Sequence, residues 1–298
     1  MRSMLAAPLL ALVSLLLPFA TQAQTQAACT FNFFSPTTPF KFPDGTPVFI
    51  EPSGINDFGT IVGTSSSRPS RGLIRWANGG VTHVKGTSSL SARNDHGTSA
   101  GSDLAYDGIS VNGSTITPTV LDVNNGGAFP RGINNYGTII GFYIPPNLDS
   151  SDLHGFQRFN NGTTHTLDFP GAAEGHTQLF GINDNGFVVG TYTNGDYVVH
   201  GFVFHKGKWA TLDYPKAPIT ILVGIANDGK IIGTAAGLEN FTKTKQFLYQ
   251  NGTFKVISIP QTVPDFWTLK SISPKQGLIL GVTDDRHPGK PGFIAQCQ

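Results

Sequence analysis

Three aspartates recur in one local setting: Asp122, Asp168 and Asp213, in the stretches LDV, LDFP and LDYP. Two carboxylates brought together can serve as general acid and general base on a glycosidic bond. Here, however, the acid returns at one place in consecutive copies of a repeat, and Phe34 and Ser258 fill that place in two others. A carboxylate in that pattern is expected to cap a turn or face outward. A second set, Asp57, Asp95 and Asp184, alternates with Asn135 and Asn227, with Asp228 one residue further on. Calcium loops need alternating oxygen donors that end in a glutamate, whereas these acids sit in short turns, so they read as turn formers.

Two further matches to catalytic motifs dissolve on context. Gly97-Thr98-Ser99-Ala100-Gly101 has the letters of a nucleophile elbow, but that motif works as a strained strand-to-helix turn and no helical pattern follows. The stretch from Gly224 to Lys230 begins like a phosphate loop, yet Ile231 stands where a magnesium-binding Ser or Thr is required. His83, His96, His154, His165, His176, His200, His205 and His287 show neither HExxH nor i, i+4 pairing, and there is no CxxC. The sequence therefore yields no catalytic, cofactor-binding or metal-ligating set, and no cofactor is expected.

The elements that carry these residues are set by repetition. GINDFGTIVG (54–63), GINNYGTIIG (132–141), GINDNGFVVG (181–190) and GIANDGKIIG (224–233) are joined by two degraded copies, ARNDHGTSAG (92–101) and ISPKQGLILG (272–281). Their closing glycines, at 63, 101, 141, 190, 233 and 281, are 38, 40, 49, 43 and 48 residues apart, the period of one four-stranded propeller blade. Asn and Asp tolerate left-handed backbone and bond to their own turn, and Gly takes positive φ at no steric cost, so each phrase is a β-hairpin. A second hairpin follows each one, as in HGFVFHKGKWATLDYPKA at 200–217, several with an Asn-Gly turn. Two hairpins per repeat and six repeats predict an all-β, six-bladed β-propeller of four-stranded blades.

The chain ends fit this count. GFIAQCQ (292–298) is a third strand without a fourth, and CTFNFFSP (29–36) is a fourth strand with nothing before it. The N-terminal strand is thus expected to close the ring, in a single domain spanning 29–298. Laid over the complete hairpins, Cys29 and Cys297 flank the place of the missing turn, and a disulfide between them would replace it. Ahead of the domain, Arg2, an apolar run from Leu5 to Ala20 and the small residues near Ala23 have the layout of a signal peptide over 1–23. The run is shorter than the roughly 20 residues that span a bilayer, so the expectation is a secreted protein without a membrane span, in a compartment where disulfides persist.

The repeat resembles that of HAF-type extracellular repeat proteins, named for a His-Ala-Phe tripeptide that opens one strand. His154-Gly155-Phe156 and His200-Gly201-Phe202 stand at that place, each preceded in register by the Asn-x-x-Gly phrase, though Gly replaces the middle Ala in both. The resemblance covers essentially all of the chain after residue 23. It implies a secreted β-propeller-like protein and brings no catalytic residues with it.

Composition narrows the partners. Only 13% of residues are charged and the net charge is +1, without the basic cluster that nucleic acid requires. Variable loops on a rigid scaffold are where binding usually resides, and the long ones are 143–154, 191–200 and 234–246. Tyr143, Tyr192 and Tyr197 there offer flat amphipathic rings suited to a sugar or peptide and are the expected ligand contacts. The sequence thus predicts a secreted, monomeric, non-catalytic binding or scaffold module for an extracellular glycan or protein. The alternative is a carbohydrate-active hydrolase or lyase with its site at the channel mouth.

Overall fold

The computed structural model describes residues 25–41, 43, 45–105, 107–118, 127–145, 152–173, 176–196, 198–237, 244–260, 267–283 and 292–298. The leader reading over 1–23, and with it Tyr197 and Asp122, lies outside these residues. Within them the structure is a succession of antiparallel strand meanders forming an all-β propeller. One meander runs Thr87–Arg93, Thr98–Asp103, Gly108–Asn112, Thr115–Pro118. The next runs Ala128–Ile133, Ile139–Tyr143, His154–Arg158, Thr164–Thr166.

Among the described residues, hydrogen bonding groups the strands into five sheets, three of four strands, one of five and one of nine. Six separate sheets were expected from the repeat, and the difference has local causes. A single parallel bridge, Val199 to Ile219, ties two consecutive meanders together, and the short strand Thr25–Gln26 adds in parallel to the outer edge of the second, beside Lys255 and Val256. The five-stranded sheet arises because Thr37–Lys41 folds back onto Pro47–Ile55.

At the chain ends, Cys29–Phe34 pairs antiparallel with Gly292–Cys297 from Cys29 opposite Cys297 to Phe34 opposite Gly292. Cys29 and Cys297 form a disulfide across 268 residues of sequence.

The core lies between neighbouring sheets. One phenylalanine from the third strand of each of four meanders, Phe156, Phe202, Phe247 and Phe293, is fully buried. Each ring lies over the closing glycine of its own repeat phrase. Gly190 stands opposite Phe202 and Gly281 opposite Phe293 in register, and a Cβ on Gly281 would strike the Phe293 ring. At Gly63, Gly101, Gly141, Gly190 and Gly233 a Cβ would also strike a backbone carbonyl of the adjoining first strand, and the two contacts together explain why the phrase ends in glycine. The middle Gly of His154-Gly155-Phe156 is explained in the same way, since a Cβ there would collide with the Leu167 carbonyl and Leu179 Cδ1.

The first strand of every meander carries a register shift two residues long: Pro52/Gly54, Leu90/Ala92, Pro130/Gly132, Leu179/Gly181, Leu222/Gly224 and Leu269/Ser271. Such bulges leave one residue outside the ladder and re-aim its side chain. The residues so released are Ser53, Ser91, Arg131, Phe180, Val223 and Lys270. Adjacent first strands run very close together, for a Cβ on Gly181 would lie 2.7 Å from Gly224 Cα.

Candidate functional site

The tips of the repeated hairpins form a continuous hydrogen-bonded circuit. In four of the tips an asparagine side chain (Asn56, Asn94, Asn134 or Asn183) first closes its own turn: Asn134 Oδ1 accepts from the Tyr136 and Thr138 N–H groups at 3.1 and 2.9 Å, and Gly137 follows at φ 78°. The same asparagines reach the next meander. Asn56 Nδ2 donates to Asn94 O, Asn94 to Asn134 O, Asn134 to Asn183 O and Asn183 to Ala226 O, at 3.0–3.3 Å. All four asparagines are buried, where an unpaired amide would be costly.

The following residue makes a second layer. The backbone N–H of Asp57 donates to Asp95 Oδ1, Asp95 to Asn135, Asn135 to Asp184 and Asp184 to Asn227, at 2.8–3.0 Å. Asn227 continues to Pro274 O, and the N–H groups of Lys275 and Gln276 return to the Asp57 carboxylate. These acids are therefore clasps between meanders as well as turn formers, a role that local sequence does not reveal.

The circuit also explains why Asp and Asn alternate. Asn135 Nδ2 donates to both Asp95 Oδ2 and Asp184 Oδ2, at 2.8 and 3.0 Å, and Asn227 Nδ2 donates to Asp184 Oδ2 at 2.9 Å. Amides thus separate carboxylates that would otherwise repel one another. The exception is Asp57 beside Asp95. Burial, reinforced by the Asp57 carboxyl, pushes the Asp95 carboxyl above its ordinary range.

The next tip residue points outward in each copy. Phe58 and Tyr136 are 67% and 70% exposed, the most exposed large apolar side chains among the described residues. His96, also exposed, stands at the same position in the copy between them and bonds through Nδ1 to Asn135 O at 2.9 Å. Trp76 and Phe159, 38% and 37% exposed, begin the second-hairpin turns at the same end of their sheets. Among the described residues, four of the seven exposed large apolar side chains therefore gather at one end.

The loop-end residues behave differently. Tyr143 is half-buried, its hydroxyl 2.9 Å from Thr166 Oγ1 and its ring 5.6 Å from that of His154. Tyr192, expected on an open loop, is only 9% exposed. Its ring stacks face to face on Phe169 at 3.7 Å, and its hydroxyl meets Thr211 Oγ1 at 3.0 Å. Phe169 comes from the connection after the preceding meander and covers the face that a ligand would use.

Beside each tyrosine lies a histidine–aspartate clasp. The Nδ1–H of His154 meets Asp168 Oδ2, and that of His200 meets Asp213 Oδ2, both at 2.7 Å. The second carboxylate oxygen accepts the N–H of Gly155 or Gly201, at 2.9 and 3.0 Å. His200 Nε2 is approached by Asn194 Nδ2 at 3.3 Å. Asp168 and Asp213 thus each pin the end of a fourth strand to the start of its third, a capping role.

No family model and no curated protein matches this chain. Solved structures do. The β-propeller domain of the Trilobed protease from Pyrococcus furiosus superposes with a TM-score of 0.52 at 7% identity, over 94% of this chain and 96% of that one. This likeness shows the β-propeller fold. Lower scores relate the chain to AofleA from Arthrobotrys oligospora (TM-score 0.46, 11% identity, 87% of this chain and 95% of that one). Lower still is the Aleuria aurantia lectin, described as a six-bladed β-propeller that recognises fucose (0.44, 11%, 81% and 93%).

Proposed function

We propose that the chain is a secreted, non-catalytic binding module: a six-bladed β-propeller of four-stranded blades, closed by its N-terminal strand, that holds an extracellular glycan against its hairpin-tip end. Pairing of Cys29–Phe34 with Gly292–Cys297, the Cys29–Cys297 disulfide and the hydrogen bonds from Lys275 and Gln276 to Asp57 support the closed ring. The disulfide also supports an oxidising compartment outside the cell. Membership of the HAF-type repeat proteins belongs to the same proposal. It is supported by Phe156 and Phe202 in the core and by the clasped His154 and His200.

The observation that carries the reading is the pair Phe58 and Tyr136, which stand at equivalent tips on either side of His96. Water-exposed aromatic rings contribute nothing to the core, whereas flat amphipathic faces beside hydrogen-bonding groups suit stacking on a sugar ring. The tyrosines at the loop end rank behind this site because Phe169 occupies the face of Tyr192. The test is a glycan array, with a peptide library alongside, probed with the disulfide-intact chain and with Phe58→Ala/Tyr136→Ala. Glycan signals lost in the double variant support the site; hits confined to peptides reassign it.

The hydrolase or lyase reading stays second. In its favour, the repeat breaks at the bulged positions nearest the axis, where Arg131, Phe180 and Lys270 replace the small residues of other copies. Glycoside hydrolysis usually calls for a carboxylate pair, and the charged residues at those positions are cations.

A further inference from the structure

The fifth residue of the repeated phrase is Phe58, His96, Tyr136 and Asn185 in four successive copies, and all four are exposed. The bonds from Asn56 to Asn94, Asn94 to Asn134 and Asn134 to Asn183 hold these tips side by side in that order. Along the row an aromatic ring alternates with a hydrogen-bonding side chain. The alternation ends at the next tip, where the Asp228 carboxylate folds back on its own hairpin and accepts from the Lys230 N–H and Nζ, both at 3.1 Å.

The two hydrogen-bonding residues are held alike. His96 Nδ1 lies 2.9 Å from Asn135 O, and Asn185 Nδ2 donates to Asn227 O at 3.0 Å. In both cases the partner is the backbone carbonyl of the fourth phrase residue in the next copy. A carbonyl only accepts, so His96 Nδ1 carries the proton, and the neutral imidazole keeps its lone pair on Nε2. The same reasoning sets the amide of Asn185, with its nitrogen toward the carbonyl and Oδ1 left as an acceptor. Two unlike side chains thus turn a donor inward and keep an acceptor, and neither acceptor is engaged by another described residue.

We infer that this row binds a neutral oligosaccharide chain, whose hydroxyls donate to His96 Nε2 and Asn185 Oδ1 while its rings stack on Phe58 and Tyr136. The inference rests on the glycan-binding reading and narrows it to one class of glycan. A sugar ring joins an apolar C–H face to a rim of hydroxyl donors, which suits a stacking surface placed beside an acceptor. Four such positions from four meanders call for a chain of sugars rather than a monosaccharide. An ionised uronate or sulfate ester has no proton to donate at its charged group. It would turn oxygens toward the two lone pairs, so acidic glycans are disfavoured.

The experiment starts from an array of neutral oligosaccharides, among them cellohexaose, maltohexaose, mannohexaose and xylohexaose, with a galacturonate hexamer as the acidic contrast. The neutral glycan with the strongest signal, and its per-O-methylated form, are titrated into the disulfide-intact parent, His96→Ala, His96→Asn, Asn185→Ala and Phe58→Ala/Tyr136→Ala. The parent should bind the free glycan at least about tenfold more tightly than the methylated one, which has lost two donors. His96→Ala and Asn185→Ala should each weaken the free glycan about fivefold, the loss of one neutral hydrogen bond. Each should also narrow the free-to-methylated ratio, which a purely structural role would leave unchanged. His96→Asn reproduces the arrangement of Asn185 and should recover most of what His96→Ala loses. If His96→Ala does not fold, Asn185→Ala decides. Loss of affinity in the ring variant, with affinity and ratio kept in the acceptor variants, would overturn this inference and leave glycan binding at the tips standing. A galacturonate hexamer that outbinds every neutral glycan would overturn it too, and an array on which nothing binds would overturn both.

Discussion

The Asp57 carboxylate accepts the backbone N–H of Gln276 at 2.7 Å across 219 residues of sequence. Lys275 donates to the same oxygen at 2.9 Å. Asp57 occupies the first hairpin tip and Gln276 the last, so these bonds complete a circuit that otherwise runs tip to tip through Asp95, Asn135, Asp184 and Asn227. On the proposed six-bladed reading, the circuit is a second fastening of the ring, distant from the disulfide.

Asp57→Ala should therefore destabilise the protein by about 1–2 kcal/mol, the range for losing hydrogen bonds to a charged acceptor at a partly exposed site. Asp57→Asn keeps an acceptor oxygen and should cost less. Urea unfolding of the two variants measures the difference, and equal losses would show that charge, not acceptor geometry, holds the tips together.

Removal of the covalent fastening should cost more. Cys29→Ser/Cys297→Ser frees a crosslink spanning 268 residues and should lower stability by about 2–5 kcal/mol. Unfolding of the parent under reducing conditions should reproduce the loss. A parent indifferent to reductant would contradict the expectation.

Asp95 gives a pH signature. Its carboxyl is raised above 3.8, first by burial and then by Asp57, with Asn135 opposing; Lys275 also faces it, at 3.8 Å. Between 3.8 and the raised value, the folded protein holds a proton that the unfolded chain releases. This group therefore weakens the fold as pH rises through that window and strengthens it as pH falls. Asp95→Asn cannot titrate, so its stability should vary less with pH between neutrality and about pH 4. A pH profile identical to the parent would assign the titration elsewhere.

Tyr192 should act on stability rather than on binding. Tyr192→Ala removes a ring packed on Phe169 and Phe202 in the core and should cost about 3–5 kcal/mol. Tyr192→Phe loses only the contact with Thr211, about 1 kcal/mol. Thermal melts of both variants measure this ratio.

What the sequence revealed and what it hid follow from the range of the interactions concerned. The strands and turns were legible because Asn-Gly turns, alternating apolar residues and the repeated glycines act within a few residues of themselves. Pairing of Cys29 with Cys297 was legible because the incomplete first and last repeats complement one another. The inter-meander role of Asn56 and Asp57 was not, since a side chain that caps its own turn leaves no local trace of a second bond to Asn94 or Gln276. The aim of Arg131 and Lys270 was hidden because a bulge shifts the two-residue alternation by one. Tyr192 was misplaced because the ring that covers it, Phe169, arrives from the preceding meander.

The most direct test of the account is titration of the best glycan from the array into the parent and into Phe58→Ala/Tyr136→Ala, with melting temperatures measured on the same samples. Both rings are largely exposed, so the double variant should melt within a degree or two of the parent, as surface substitutions usually do. Stacking contributes about 0.5–1.5 kcal/mol per ring beyond burial, so affinity should fall at least about fivefold. An unchanged affinity at an unchanged melting temperature, or an array on which no glycan binds the parent, would contradict the glycan-binding tip.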